Sequence, residues 1–223
     1  MKTKRASRIA FLLCTICICI PVFINRFPFV YSDTGTYIYI GFTNGVSSIR
    51  PAMYGFFIRH ISMMETFWLV VVAQALITVY FIRLFIKTFF KEISEFFVFL
   101  IVAILTATTS IGIYTGMLMP DFATPIILLS VPIVLYAEKL SWKQFTLIST
   151  ILWFSVASHH SHALILFLII ISAGFRISIN RKYYSKSIVK KLGLLSLILI
   201  IGYFTIPTQH YFCLLYTSDA ADE

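Results

Sequence analysis

Charge is what this chain most lacks. Asp, Glu, Lys and Arg make up 12% of its 223 residues, where an ordinary soluble domain carries about a quarter. Apolar residues make up 59%, and they fall in long runs broken by short charged clusters. That combination excludes a soluble enzyme and describes a polytopic, all-α membrane protein. Cysteine is sparse as well. Cys14, Cys17 and Cys19 sit inside one apolar run with no His or acid beside them. Their spacing supports neither a disulfide framework nor a zinc site, so they read as small packing residues.

The chain holds 18 bases against nine acids, a net charge of +9. A nucleic-acid partner is one explanation of such a balance, but the placement of the bases argues against it. They lie at the ends of apolar runs, as the excess of Lys and Arg in cytoplasmic loops predicts. The lipid bilayer is therefore the first partner, and no nucleic acid is expected.

Apolar segments are predicted at 9–25, 66–86, 96–117, 122–137, 144–158, 162–175 and 192–208, about seven spans. Lys2, Lys4, Arg5 and Arg8 precede the first segment, and Arg83, Lys87 and Lys91 separate the second from the third. Lys139 and Lys143 separate the fourth from the fifth. Arg176, Arg181, Lys182, Lys186, Lys190 and Lys191 separate the sixth from the seventh. Only Arg26, Arg50 and Arg59 remain for the opposite face. This alternation predicts a cytoplasmic N-terminus, and MKTKRASR followed by an apolar run without a small-x-small cleavage site reads as an uncleaved signal anchor. Asp33, Arg50, Arg59, Asp121 and the cluster His159-His160-Ser161-His162 then share the outer face. The fifth and sixth segments, about 15 residues or fewer, cover roughly 22 Å of a ~30 Å hydrocarbon core. The histidines between them are therefore expected below the surface, in a polar recess or a re-entrant hairpin.

The first outer loop, about 26–65, is too long and apolar for a plain connector. A helix is predicted to start at Pro51. Tyr54, Phe57, Ile58 and Ile61 recur at helical spacing and leave Arg59 and His60 off the stripe, the pattern of a helix lying in a membrane surface. Residues 33–42 suit a second such helix, with Ser32 or Asp33 as its cap.

The polar residues each suit more than one role. Asp33, set among Tyr31, Ser32, Thr34 and Tyr37, suits a partly desolvated general base or a simple turn residue. An aspartic protease is disfavoured, because Asp-Thr-Gly there needs a β-rich fold and a second facing aspartate, and nothing in the sequence supplies either. Asp121, after Pro120, suits a helix start, a contact to a substrate hydroxyl or a metal ligand. Arg50 suits a bidentate phosphate clamp or a snorkelling headgroup contact. The histidines suit phosphate or sugar contacts, polar packing, or a divalent-metal site, although their spacing matches no strong zinc motif.

The stretch Ser32-Asp33-Thr34-Gly35-Thr36-Tyr37 after the first span, followed by Arg50-Pro51-Ala52-Met53-Tyr54-Gly55-Phe56-Phe57-Ile58, resembles bacterial membrane glycosyltransferases of the GT-C architecture. Met119-Pro120-Asp121 is similar to that family's second acidic loop. The resemblance covers about residues 1–175 through short motifs. It implies sugar transfer from a polyprenyl-phosphate donor to a glycan, lipid or protein acceptor outside the bacterial cytoplasmic membrane. Asp33 would then be the base and Asp121 an assisting acid. Arg50, Tyr54, His159, His160 and His162 would contact substrate, with no cofactor certain and a divalent metal optional. A carrier of lipid-linked glycans without chemistry, or a structural subunit of a polysaccharide assembly, is the alternative. The tail CLLYTSDAADE, 213–223, resembles translated sequencing-adapter read-through, so residues 1–212 are expected to be a truncated membrane domain followed by a non-native tail.

Overall fold

The computed structural model describes residues 2–45, 47, 49–90 and 92–219, with side chains for those of them between 5 and 211. The chain is helical throughout this range, and among the described residues the only β feature is an isolated bridge between Phe29 and Met117. The helices in chain order are α1 (Lys2–Asn25), α2 (Thr34–Thr43), α3 (Met53–Ser62), α4 (Trp68–Phe89), α5 (Glu95–Thr108) and α6 (Ile111–Gly116). They continue with α7 (Thr124–Tyr136), α8 (Trp142–Ser158), α9 (His160–Ile179) and α10 (Lys186–Asp219). Short 3₁₀ turns cover Pro120–Ala123 and Arg181–Tyr183.

Among the described residues four helices are long and apolar enough to cross a membrane: Arg5–Asn25, Trp68–Phe89, His160–Ile179 and Lys186–Tyr211. Each of the seven predicted apolar segments is helical, but three of those helices are short. The segment expected at 96–117 is broken at Thr109, which turns extended between α5 and α6. The segments expected at 162–175 and 192–208 belong to longer helices, α9 and α10. Within the expected tail, residues 220–223 lie outside the described range.

Local signals account for several boundaries. Ser141 and Gln144 form a reciprocal capping box at the start of α8. Ser94 accepts from the Phe97 amide at the start of α5 (3.4 Å), with Glu95 in the first turn. Asn44 and Met63 adopt left-handed conformations that close α2 and α3. The predicted start at Pro51 moves two residues on, to Met53, with Ala52 at the cap position.

Helix α4 is the shared wall. Its Val71, Ala75, Val79, Ile82 and Ile86 pack with Cys14, Ile18 and Val22 of α1 and Val98 and Val102 of α5. On its other side, Val70, Phe81 and Leu84 belong to a core that spans α2, α3, α7, α8, α9 and α10. Buried Cys14, Cys17 and Cys19 are free thiols that pack, as their spacing suggested. Leu12, Ile16 and Phe23 of α1, Leu164, Phe167 and Ile171 of α9, and Leu197, Ile201 and Phe204 of α10 point outward. Apolar side chains on that scale suit a lipid neighbour.

The bundle has two chemically distinct ends. At one, Arg83 bonds Ser7 (2.6 Å) and Glu95 (2.7 Å), and Lys87 donates to the Ile93 carbonyl (2.6 Å). Lys191 there caps the carbonyls of Leu135 and Ala137 at the end of α7 (3.3 and 3.2 Å). The other end gathers α2, α3, the 109–123 segment, the α8–α9 junction and the last turns of α10.

At that second end α2 and α3 cross at Gly41 and Gly55. A Cβ on Gly55 would stand 2.7 Å from the Tyr37 carbonyl oxygen and 2.9 Å from the Gly41 nitrogen, both backbone atoms that cannot swing aside. Gly55→Ala should therefore cost about 1–3 kcal/mol, the range for overpacking a filled contact. Thermal unfolding of the detergent-solubilised protein measures it, and an unchanged midpoint would show that the crossing has slack.

Candidate functional site

The site is assembled by a break in the apolar framework. Between α6 and the turn at Pro120 the chain leaves helical geometry, and its carbonyls need partners that lipid does not supply. Gln74 of α4, fully buried, provides them. Its Nε2 donates to the carbonyls of Thr115 (2.7 Å) and Met117 (2.9 Å), and its Oε1 accepts from the Tyr54 hydroxyl (2.6 Å). The same segment is laced to the chain after α1. The Phe29 amide donates to the Gly116 carbonyl (3.0 Å), and the Leu118 amide to that of Phe29 (2.9 Å). The Thr34 hydroxyl donates to the Leu118 carbonyl (3.1 Å). Asp33 and Asp121, 88 positions apart in the numbering, are thereby brought to one end of the bundle.

Asp33 stands at the N-cap position of α2, yet its carboxylate makes no cap hydrogen bond. The side chain turns instead to Arg50 in an ion pair, each partner about a quarter exposed. The capping role expected for Asp33 is thus a backbone one only, its carbonyl accepting from the Thr36 and Tyr37 amides (3.0 and 3.2 Å). Asp121 lies inside the 3₁₀ turn, and no side-chain cap bond forms there either. Among the described residues its carboxylate has no hydrogen-bond or ion-pair partner.

Tyr37 is buried between these groups, in the fields of Arg50, Asp121 and Asp33. Burial drives its hydroxyl's pKa upward, Arg50 opposes the rise, and the two carboxylates add to it. The hydroxyl stays protonated. Burial, with Tyr37 and Asp121 nearby, does the same for Tyr54. Tyr37 meets Tyr54 edge-on at 5.2 Å, and Phe57 stacks between Tyr54 (5.8 Å) and Phe122 (6.2 Å) and touches Phe154 (5.2 Å). These rings form an aromatic floor joining α2, α3, α8 and the Asp121 turn.

The histidines divide by role. His159 breaks the α8–α9 junction in extended conformation, and its ring lies 5.3 Å from that of His162. Its Nδ1 accepts from the Ser161 amide (3.2 Å), which places the proton of the neutral ring on Nε2. His162 is fully buried. Its Nδ1 donates to the Ser155 carbonyl (2.8 Å), and its Nε2 accepts from the Thr124 hydroxyl (3.0 Å). Both nitrogens are committed, and the ring is a strut between α7 and α8. Tyr54, likewise committed to Gln74, braces α3. His159 feels the charges of Asp121, Arg50 and Asp33, and His160, exposed, feels those of His210 and Arg50.

Comparison with protein families, with curated proteins and with solved structures returns no match. The site is therefore read from its own chemistry. Four buried polar atoms there have no partner: Tyr37 Oη, Arg50 Nε, Gln209 Nε2 and His210 Nε2. Such groups are rare in folded proteins and ask for an explanation, a ligand among them. Gln209 also ties α10 to the site, its Oε1 accepting from the Met53 amide (2.8 Å). Among the described residues no three His, Cys, Asp or Glu side chains converge as ligands for a metal ion.

Tyr37, Gln74, Gln209 and His210 were not singled out from the sequence as site residues. Gln74 carried a signal, as an amide inside a 22-residue apolar helix. Gln209-His210 carried a weaker one, as a polar pair at the far end of the last apolar run.

Two predictions follow from this geometry. Gln74→Leu keeps the bulk but orphans a hydroxyl and two carbonyls, at a cost of roughly 3 kcal/mol or more. Unfolding of Gln74→Leu in detergent should show that loss, and a stable variant would show that other groups hold the break. The second concerns pH. Burial is the largest influence on His159 and lowers its pKa from the ordinary value, with Arg50 and His160 acting the same way and Asp121 and Asp33 opposing. On acidification below about 6.5 the unfolded chain takes up that proton before the folded ring does. Stability should therefore fall with pH from there until the folded ring titrates, and be recovered on return to neutrality. The midpoint measured against pH should flatten in His159→Asn; an unchanged slope would assign the effect to other groups.

Proposed function

We propose that the chain is a seven-span membrane glycosyltransferase with its N-terminus in the cytoplasm, taking a sugar from a polyprenyl-phosphate donor at the outer face of a bacterial cytoplasmic membrane. The observation that carries this reading is the Asp33–Arg50 ion pair set beside three further buried side chains with unpartnered polar atoms, Tyr37, Gln209 and His210, at the end of the bundle that holds Asp121. An apolar protein gains no stability from holding such groups without partners, whereas a polar substrate entering from the lipid surface would satisfy them. The clustering of bases at the opposite end supports the orientation.

In this mechanism the acceptor hydroxyl gives its proton to the Asp33 carboxylate as its oxygen attacks the anomeric carbon. The bond from that carbon to the lipid phosphate oxygen breaks, and the phosphate leaves with the electron pair. Arg50 has a charge-assisted donor for the phosphate oxygens, with a second N–H, at Nε, still free. His160 and His210 lie in the same field. Asp121 supplies a second carboxylate that orients the acceptor or stabilises positive charge developing on the sugar ring. The acceptor is a glycan, a lipid or a protein.

Asp33→Asn should lower sugar transfer by about 10²–10⁴-fold, the range of a lost general base, while expression and thermal stability stay close to wild type. Reconstituted vesicles loaded with a polyprenyl-phosphate-linked sugar measure it. Transfer at the wild-type rate would overturn the assignment. Scrambling of the lipid across the same vesicles without transfer would point instead to carriage of lipid-linked glycans.

A further inference from the structure

Behind the Asp121 turn lies a cavity of about 470 Å³ that the ion-pair chemistry does not use. Thr109, Ser110, Tyr114, Thr115, Asp121 and Thr124 contribute its polar lining, and Ile111, Phe122 and Pro125 complete it. Its volume falls within the roughly 300–1,000 Å³ typical of small-ligand sites. The lining contains a carboxylate and five hydroxyl residues but no Lys, Arg or His. A phosphate or other anion would meet repulsion from Asp121 with no compensating cation. A cationic ligand would find one carboxylate and no aromatic box. Hydroxyls that donate and accept, a carboxylate that accepts and an aromatic ring that offers an apolar face with a polar tip match a neutral polyhydroxylated molecule.

The individual groups are available for that task. Ser110 sits at the start of α6 without a side-chain cap bond. Among the described residues the Asp121 carboxylate and the Tyr114 hydroxyl make no hydrogen bond, and Tyr114 is 50% exposed at the rim. Thr109 and Thr124 have donated their protons to the Leu105 carbonyl and to His162, leaving lone pairs free to accept. Two contacts tie the wall to its neighbours: Thr124 is bonded through His162 to α8, and the Thr115 carbonyl is held by Gln74.

We propose that this cavity is a binding subsite for an uncharged sugar ring, with Asp121 accepting from two of its hydroxyls and Tyr114 covering one face. The subsite deepens the transferase reading by giving the acceptor glycan a place of its own, away from Arg50. It rests on that reading only for the word acceptor. The division of labour follows from charge: the anionic lipid phosphate belongs with Arg50, His160 and His210, and the neutral partner belongs in the cation-free cavity.

The test reads binding, not turnover. Saturation-transfer NMR on the full chain in nanodiscs uses methyl glycosides of glucose, galactose, mannose and N-acetylglucosamine as probes, without lipid donor. At least one should bind. Asp121→Asn should weaken it about tenfold, as expected for a lost hydrogen bond to a charged group, and Tyr114→Ala should abolish the signal. Tyr114→Phe, which keeps the ring, should retain partial binding and guards against loss by misfolding. Glu65→Gln, an acid lining a different cavity at the same end, should leave binding unchanged. Absence of binding by every probe, or binding indifferent to Asp121→Asn and Tyr114→Ala, overturns the subsite. Sugar binding that behaves as described, with no transfer from a polyprenyl-phosphate donor, keeps the subsite and removes the transferase.

Discussion

Gln74 is the interaction on which the rest of the site end depends. An apolar bundle can satisfy its backbone inside continuous helices, but it cannot afford a break unless something within the protein replaces water. The amide of Gln74 uses both donors and its oxygen to do this, holding two carbonyls of the 115–117 segment and the hydroxyl of Tyr54. One side chain thereby fixes α3 against α4 and fixes the turn that carries Asp121. The Phe29 bridge and the Thr34 bond extend the same lattice to Asp33.

Around that frame the scarce charges are segregated. Basic side chains at one end cap helix carbonyls or pair with Glu95, which are stabilising uses that need no ligand. At the other end Arg59 is similarly spent, on the Gly41 carbonyl (3.3 Å) and the Asn44 side chain (2.9 Å) at the close of α2. Arg50 pairs with Asp33 on one edge and leaves Nε buried and unpartnered on another, as Arg83 does beside Glu95 at the opposite end; what sets Arg50 apart is the company of unpartnered Tyr37, Gln209 and His210.

The two polar regions near the Asp121 turn have opposite character. Toward α10 lie Arg50, His160 and His210, a field that favours an anion. Toward α6 lies a hydroxyl-lined cavity with one carboxylate and no cation. Asp121 borders the second and is felt by Tyr37, Tyr54 and His159 near the first. A reaction joining an anionic lipid carrier to a neutral hydroxyl partner needs these two environments side by side, with an acid-base group at the boundary.

Composition and run lengths by themselves determined that the chain is helical and apolar enough to cross a membrane, because bare peptide groups in lipid leave few other options. The spacing of Tyr54, Phe57, Ile58 and Ile61 also determined the buried face of α3, since side chains three and four apart share a side. Tertiary structure alone decided what the polar residues do. His159 and His162 are near neighbours in sequence, yet one ends a helix in extended geometry and the other has both nitrogens locked in the core. Asp33 was legible as a cap but bonds Arg50, because a carboxylate near an apolar interior gains more from a guanidinium than from a helix terminus. Gln209 and His210 reach the site only through the course of α10, which no local pattern encodes. The count of full-length spans was not legible either: the 96–117 run breaks at Thr109, while the short 162–175 run belongs to the 20-residue α9.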